Sequence, residues 1–197
     1  EEPVMSHHRQ PSSAIARRSA TALIAVLVLA GLSAGPARAQ EGAMESGPGP
    51  EILEVVRSDW DSVSDKLVSL AEAIPEDAYG WAPSEEVRSV GEVIVHVTGT
   101  NHALTQVFPE AGESPLEGLG ESPSKEELLA ALKESIARVD QVLAGFTVAD
   151  LGTTYEPFGR EMSGYRILTI LTAHFHEHLG QLIAYARSNE VVPPWSS

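Results

Sequence analysis

From about residue 51 to the end of the chain, apolar residues recur with the three-and-four spacing of amphipathic helices. Val56, Trp60, Val63, Leu67, Leu70 and Ile74 step by 4, 3, 4, 3 and 4, one seam that Pro75 closes. Ser89, with Glu92 three residues on, has the form of a capping box and opens a second stripe of Val90, Val93, Val97, Asn101, Leu104 and Phe108, stopped by Pro109. Residues 109–123, PEAGESPLEGLGESP, carry no period and read as a long acidic loop. Ser124 and Glu127 repeat the capping box, and Leu129, Leu132, Ile136, Val139, Leu143 and Phe146 give a third seam. Residues 147–162 are mixed and predict no helix, only a short irregular or extended piece. Ser163 caps a fourth helix whose seam reads Ile167, Leu171, His174, His178, Gln181, Tyr185. The fold this pattern predicts is an all-α four-helix bundle with the acidic loop between its second and third helices.

The first 50 residues do not join this pattern. Arg9, Arg17 and Arg18 lead into an apolar stretch from Ala20 to Leu32, followed by Ala37-Arg38-Ala39, a small-x-small cleavage site. Residues 1–39 therefore read as a secretory signal, 40–50 as a flexible leader and 51–197 as the bundle domain. The apolar run is about 13 residues against the roughly 20 that a membrane-spanning helix needs. The expected location is exported, periplasmic or extracellular, with no membrane attachment after cleavage. The chain contains no cysteine, which excludes disulfides, a thioether lipid anchor and a cysteine nucleophile.

The formal charge of −15 becomes more negative without the signal. Residues 1–39 hold four of the 13 basic and two of the 28 acidic residues, so nine basic and 26 acidic remain. Such a surface repels nucleic acid and anionic lipid. The partner that remains is an unidentified small molecule, with a homodimer as an open assembly.

The fourth seam carries the candidate chemistry. His174 and His178 are four residues apart, about 40° around a helix, whereas His176 points to another face. Two inward imidazoles in positions that other helices fill with Leu, Ile and Val require partners for their nitrogens. An i, i+4 histidine pair can converge on one divalent ion, and His96, one turn after Val93, is the third nominee. The same spacing also suits a hydrogen-bonded histidine cluster or a chance helical pattern. Gln181, one turn past His178, is placed to orient a ligand or bound water, or else is a helix-packing amide. His102 and His176 read as solvated or rim histidines, Glu177 as a surface carboxylate, Glu92 as a cap, and Trp60 and Tyr185 as core residues first.

Tyr79-Gly80-Trp81-Ala82-Pro83, Arg88-Ser89-Val90-Gly91-Glu92-Val93-Ile94-Val95-His96 and His174-Phe175-His176-Glu177-His178-Leu179-Gly180-Gln181 together resemble the DinB-like (YfiT-like) superfamily of metal-dependent enzymes, unrelated to the DNA polymerase sharing that name. The resemblance runs from about residue 51 to the Pro193-Pro194-Trp195 tail, and departs from the pattern at Leu179, where relatives often have a basic residue. It implies a four-helix bundle whose metal, zinc or nickel foremost with iron or manganese as further candidates, is bound by His96, His174 and His178. It also implies that some relatives transfer low-molecular-weight thiols to electrophiles. The functional expectation is a metal-dependent hydrolase or thiol transferase acting on a small molecule. The alternative is a non-catalytic metal- or ligand-binding bundle. No GxSxG elbow, phosphate-cradling glycine loop, HExxH or basic patch competes.

Overall fold

The computed structural model describes residues 47–109 and 112–196; the expected signal at 1–39 and most of the leader lie outside the described residues. Four helices account for most of them: α1 (Gly49–Ala73), α2 (Val90–Thr105), α3 (Lys125–Gly145) and α4 (Gly164–Ser188). The first helix takes in Gly49 and Pro50, two residues expected in the leader. Between α3 and α4 lie short 3₁₀ turns and a two-residue antiparallel ladder, β1 (Thr154–Tyr155) with β2 (Met162–Ser163). No helix among the described residues is long and apolar enough to cross a membrane.

Both predicted capping boxes form. The Ser89 and Ser124 hydroxyls accept from the Glu92 and Glu127 N–H groups at 3.3 Å each, and each glutamate accepts its serine's N–H at 2.7 Å. Those hydrogen bonds hold both carboxyls below the usual glutamate range. Ser163 caps α4 more simply, its hydroxyl accepting from the Arg166 N–H.

Cations from neighbouring segments close two helix C-termini, where carbonyls lack intrahelical partners. Arg57 donates to the carbonyls of Leu143 (2.8 Å) and Phe146 (2.8 Å) at the end of α3, and Lys125 donates to those of Glu72 (2.8 Å) and Ile74 (2.7 Å) at the end of α1. The start of each helix thus meets the end of the other, so α1 and α3 run antiparallel. By contrast α2 and α3 are parallel: a Cβ on Gly91 would lie 3.4 Å from Leu128, Asn101 donates to the Ser135 hydroxyl at 3.0 Å, and Phe108 meets Phe146 with ring centroids 5.9 Å apart. Parallel neighbours need a connection that returns along the bundle, and the acidic loop is that crossover. About 19 residues reach up to ~60 Å, against ~32 Å for a helix of α3's length.

The core centres on Trp60 of α1 and Phe175 of α4, ring centroids 4.4 Å apart, with the Trp60 indole N–H donating to Asp140 of α3 at 2.7 Å. Burial raises the Asp140 carboxyl above its ordinary range, and this indole bond works in the opposite direction. The first two seams are buried as expected, except that Val56 is half-buried. Two seams need correction. In α3, Leu129 and Ile136 lie half-buried at the edge while Leu128, Ala131, Ser135 and Val142 face inward. In α4 the innermost line runs through Leu168, Phe175 and Leu182, which leaves His174 and Gln181 at the rim of the core.

Two glycines of α4 should respond oppositely to alanine. A Cβ on Gly164 would stand 2.1 Å from the Asp150 carbonyl oxygen and 2.6 Å from the Phe146 ring. Gly164→Ala should destabilise by roughly 1–3 kcal/mol in urea unfolding through overpacking. Gly180 faces open space, so Gly180→Ala should stabilise by about 0.5–1 kcal/mol through helix propensity.

Candidate metal centre

The antiparallel approach of α2 and α4 sets His96 opposite His174 and His178. The ring centroids are 4.9 Å (His96–His174), 4.8 Å (His96–His178) and 4.4 Å (His174–His178) apart. His174 Nε2 is 3.1 Å from both His96 Nε2 and His178 Nε2, and the ligand atoms of the three rings all lie within 4.8 Å of one another. Among the described residues these three histidines form a group able to hold a metal ion. His178 is buried, and the other two are half-buried.

Proton counting shows what this arrangement lacks. With its Nδ1–H donated to the Gln181 amide oxygen at 2.8 Å, His178 has a bare lone pair on Nε2. A proton on His174 Nε2 can then serve the contact to His178, but it cannot also make a linear bond to His96. A proton on His96 could serve that contact only if His174 gave up its own. A cation between the rings satisfies all three lone pairs together. Ligands of a tetrahedral ion with bonds of about 2.0–2.1 Å lie about 3.3–3.4 Å apart, close to the two 3.1 Å spacings around His174. The residues fit a divalent metal.

The surroundings of His174 and His96 disfavour their protonation, as metal binding requires. Burial, then His178, His96 and Arg88, push His174 down to about 4. Burial, Arg88 and His178 also lower His96, with Glu177 opposing. Behind His178, Gln181 donates from Nε2 to the Tyr185 hydroxyl at 2.7 Å, and the Tyr185 ring packs edge-on against Trp81 at 5.2 Å. The amide is thus held from both sides, which fixes the His178 tautomer.

The structure brings together His96, His174, His178 and Gln181. It leaves the other two helical histidines out. His176 is exposed, its Nε2 lying 3.0 and 3.1 Å from the two carboxylate oxygens of Asp59 on α1. His102 is half-buried on α2, with a buried Nδ1 that has no hydrogen-bond partner among the described residues. Periodicity missed Trp81 and Arg88, which lie in the irregular segment before α2. Tyr185 carries a polar role beyond core packing.

The comparisons with known proteins bear on family and fold. The family model described as the DinB superfamily matches residues 59–182, a span that contains all three histidines and Gln181. The chain belongs to the DinB superfamily. This DinB-superfamily chain is similar to the uncharacterized protein YjoA of Bacillus subtilis, 27% identical over 121 residues that cover 60% of this chain and 78% of that one. The crystal structure of that DinB-like protein superposes with a TM-score of 0.56 at 24% identity, covering 70% of this chain and 92% of the other. A DinB-like protein from Bacillus cereus gives a TM-score of 0.59 at 18% identity, covering 72% and 95%. At these identities the two solved structures show the shared fold.

The low value at His174 predicts how the metal-free protein responds to acid. Between about pH 6.5 and 4 the unfolded chain takes up a proton there that the folded chain refuses, so stability falls as pH falls through that window. Urea unfolding in the presence of chelator should show a loss on the order of 2 kcal/mol across it. His174→Ala should flatten the slope.

Proposed function

We propose that this chain is an exported, divalent-metal-dependent hydrolase or thiol transferase acting on a small molecule, with His96, His174 and His178 as metal ligands and Gln181 as the residue that orients His178. The observation that carries this reading is the convergence of three Nε2 atoms with too few protons to satisfy them. Three neutral imidazoles leave the ion's full charge and an open coordination position, so the metal, when bound, supplies a Lewis acid able to acidify water or a thiol.

The protein's own residues do the rest. Burial of His174 keeps its nitrogen unprotonated, and the Gln181–Tyr185 pair holds the bare lone pair of His178 toward the centre. Glu177, exposed and neighbouring His178, is an electrostatic influence on His96 rather than a contact in the cluster. Imidazole suits zinc, nickel, copper and iron(II) alike, and the family resemblance is what puts zinc and nickel foremost. Export rests on the arginine-led apolar segment before Ala37-Arg38-Ala39; secreted protein whose N-terminus is not Gln40 would remove that part of the reading.

The scaffold favours an open site over a structural one. The apolar core runs from Trp60 and Leu67 to Phe175 and Leu182, with two of the three histidines, His96 and His174, only half-buried beside it. Chelation should therefore remove the metal with limited loss of fold, whereas a melt that collapses on chelation favours the non-catalytic, metal-stapled alternative. Mass-spectrometric metal analysis of untagged protein should find close to one divalent ion per chain, largely lost in His174→Ala. Gln181→Leu should weaken metal affinity by about 10- to 100-fold, the usual effect of removing a partner behind a ligand. Wild-type protein that takes up neither added zinc nor nickel contradicts the reading.

A further inference from the structure

Thr98 departs from the habit of the other threonines in α2 and α4. A threonine hydroxyl inside a helix commonly donates to the carbonyl four residues back. Thr100 does so to His96 (2.9 Å), Thr105 to Asn101 (2.7 Å), Thr169 to Tyr165 (2.9 Å) and Thr172 to Leu168 (3.3 Å). Thr98 is fully buried, yet its Oγ1 has no hydrogen-bond partner among the described residues. Three and four residues on, Asn101 Oδ1 and His102 Nδ1 are buried and unpartnered in the same way.

Proton counting says what these atoms require. The Ser135 hydroxyl on α3 gives its hydrogen to the Leu132 carbonyl (2.8 Å), so toward Asn101 it can only accept. The Asn101 amide must therefore present its NH2 group to Ser135, at 3.0 Å, and a flip cannot rescue Oδ1, which stays a bare acceptor. Residues three and four apart on a helix hold their Cβ atoms about 5–6 Å apart, the span of one water with a hydrogen bond of about 2.8 Å on either side. A water beside Thr98 accepts the threonine O–H and donates one hydrogen to Asn101 Oδ1 and the other to His102 Nδ1, the imidazole keeping its proton on Nε2. Three partners are the usual number for a buried water. The crossover loop closes over this seam: a Cβ on Gly99 would lie 3.4 Å from the Leu116 side chain, and Arg138, one turn past Ser135, donates to the Glu113 carbonyl.

We propose that Thr98, Asn101 and His102 form a hydration site that holds one long-lived internal water where α2 docks on α3. The site lies on the face of α2 turned away from His96 and does not depend on the metal reading. With the Asn101–Ser135 bond it completes the polar layer that seats the helix carrying His96.

Oxygen-17 magnetic relaxation dispersion, which counts waters held longer than the protein's tumbling time, should find one fewer in Thr98→Val than in wild type. Thr98→Ser keeps the hydroxyl and should keep the count. Urea unfolding then reads a sign. Valine has the shape and nearly the helix propensity of threonine, so it would stabilise a protein whose hydroxyl is merely stranded. Where that hydroxyl holds a water on which Asn101 and His102 depend, the folding equilibrium constant should instead fall about tenfold. A Thr98→Val protein at least as stable as wild type overturns the proposal, and so does an unchanged water count. Should the valine variant fail to fold, a high-resolution crystal structure of wild type decides: density within hydrogen-bond reach of all three atoms supports the site, and its absence overturns it.

Discussion

A shortage of protons among three facing imidazoles is the physical fact that gives this bundle its chemistry. His96 comes from α2 and His174 and His178 from α4, two antiparallel helices that stand close enough to put successive Nε2 atoms 3.1 Å apart. Gln181 takes the one proton that His178 has to give, and burial discourages His174 from gaining another. Neutral lone pairs turned toward each other are a cost the fold maintains, and a cation is the simplest group that converts the cost into binding.

The scaffold can maintain it because the apolar core lies elsewhere in the same helices. On α4 the line through Leu168, Phe175 and Leu182 packs against α1, where Trp60 anchors Phe175, while the adjacent line carries the buried His178 with His174 and Gln181 at the rim. One helix face holds the bundle together and its neighbour holds the chemistry. The parallel arrangement of α2 and α3, made possible by the acidic crossover, places Asn101 and Ser135 in a buried hydrogen bond and leaves the opposite side of α2 free to face α4.

Much of this was legible in the sequence because helices with proline stops and serine caps write their period plainly. The limits came where residues of similar hydrophobicity sit side by side. Leu128 and Leu129, or Val142 and Leu143, allow two seams one residue apart, and the true face of α3 is the earlier one at Leu128. On α4 the strong spacing of the histidine line concealed the parallel line through Phe175. Period also says nothing about direction, so the parallel pairing of α2 with α3 is written only in cross-helix contacts such as Asn101 with Ser135. A ladder of two residues is too short to alternate, and the loop that carries Trp81 and Arg88 has no period from which to infer a position. The histidine pair and His96 were legible for the opposite reason: imidazoles in a seam of aliphatics violate the pattern around them.

The most direct test of the account is X-ray absorption spectroscopy at the metal edge of protein purified without a tag. The account predicts one divalent ion whose first shell contains three imidazole nitrogens at about 2.0–2.1 Å, one of them lost in His96→Ala. A shell without imidazole scattering, or a spectrum that His96→Ala leaves unchanged, would contradict it.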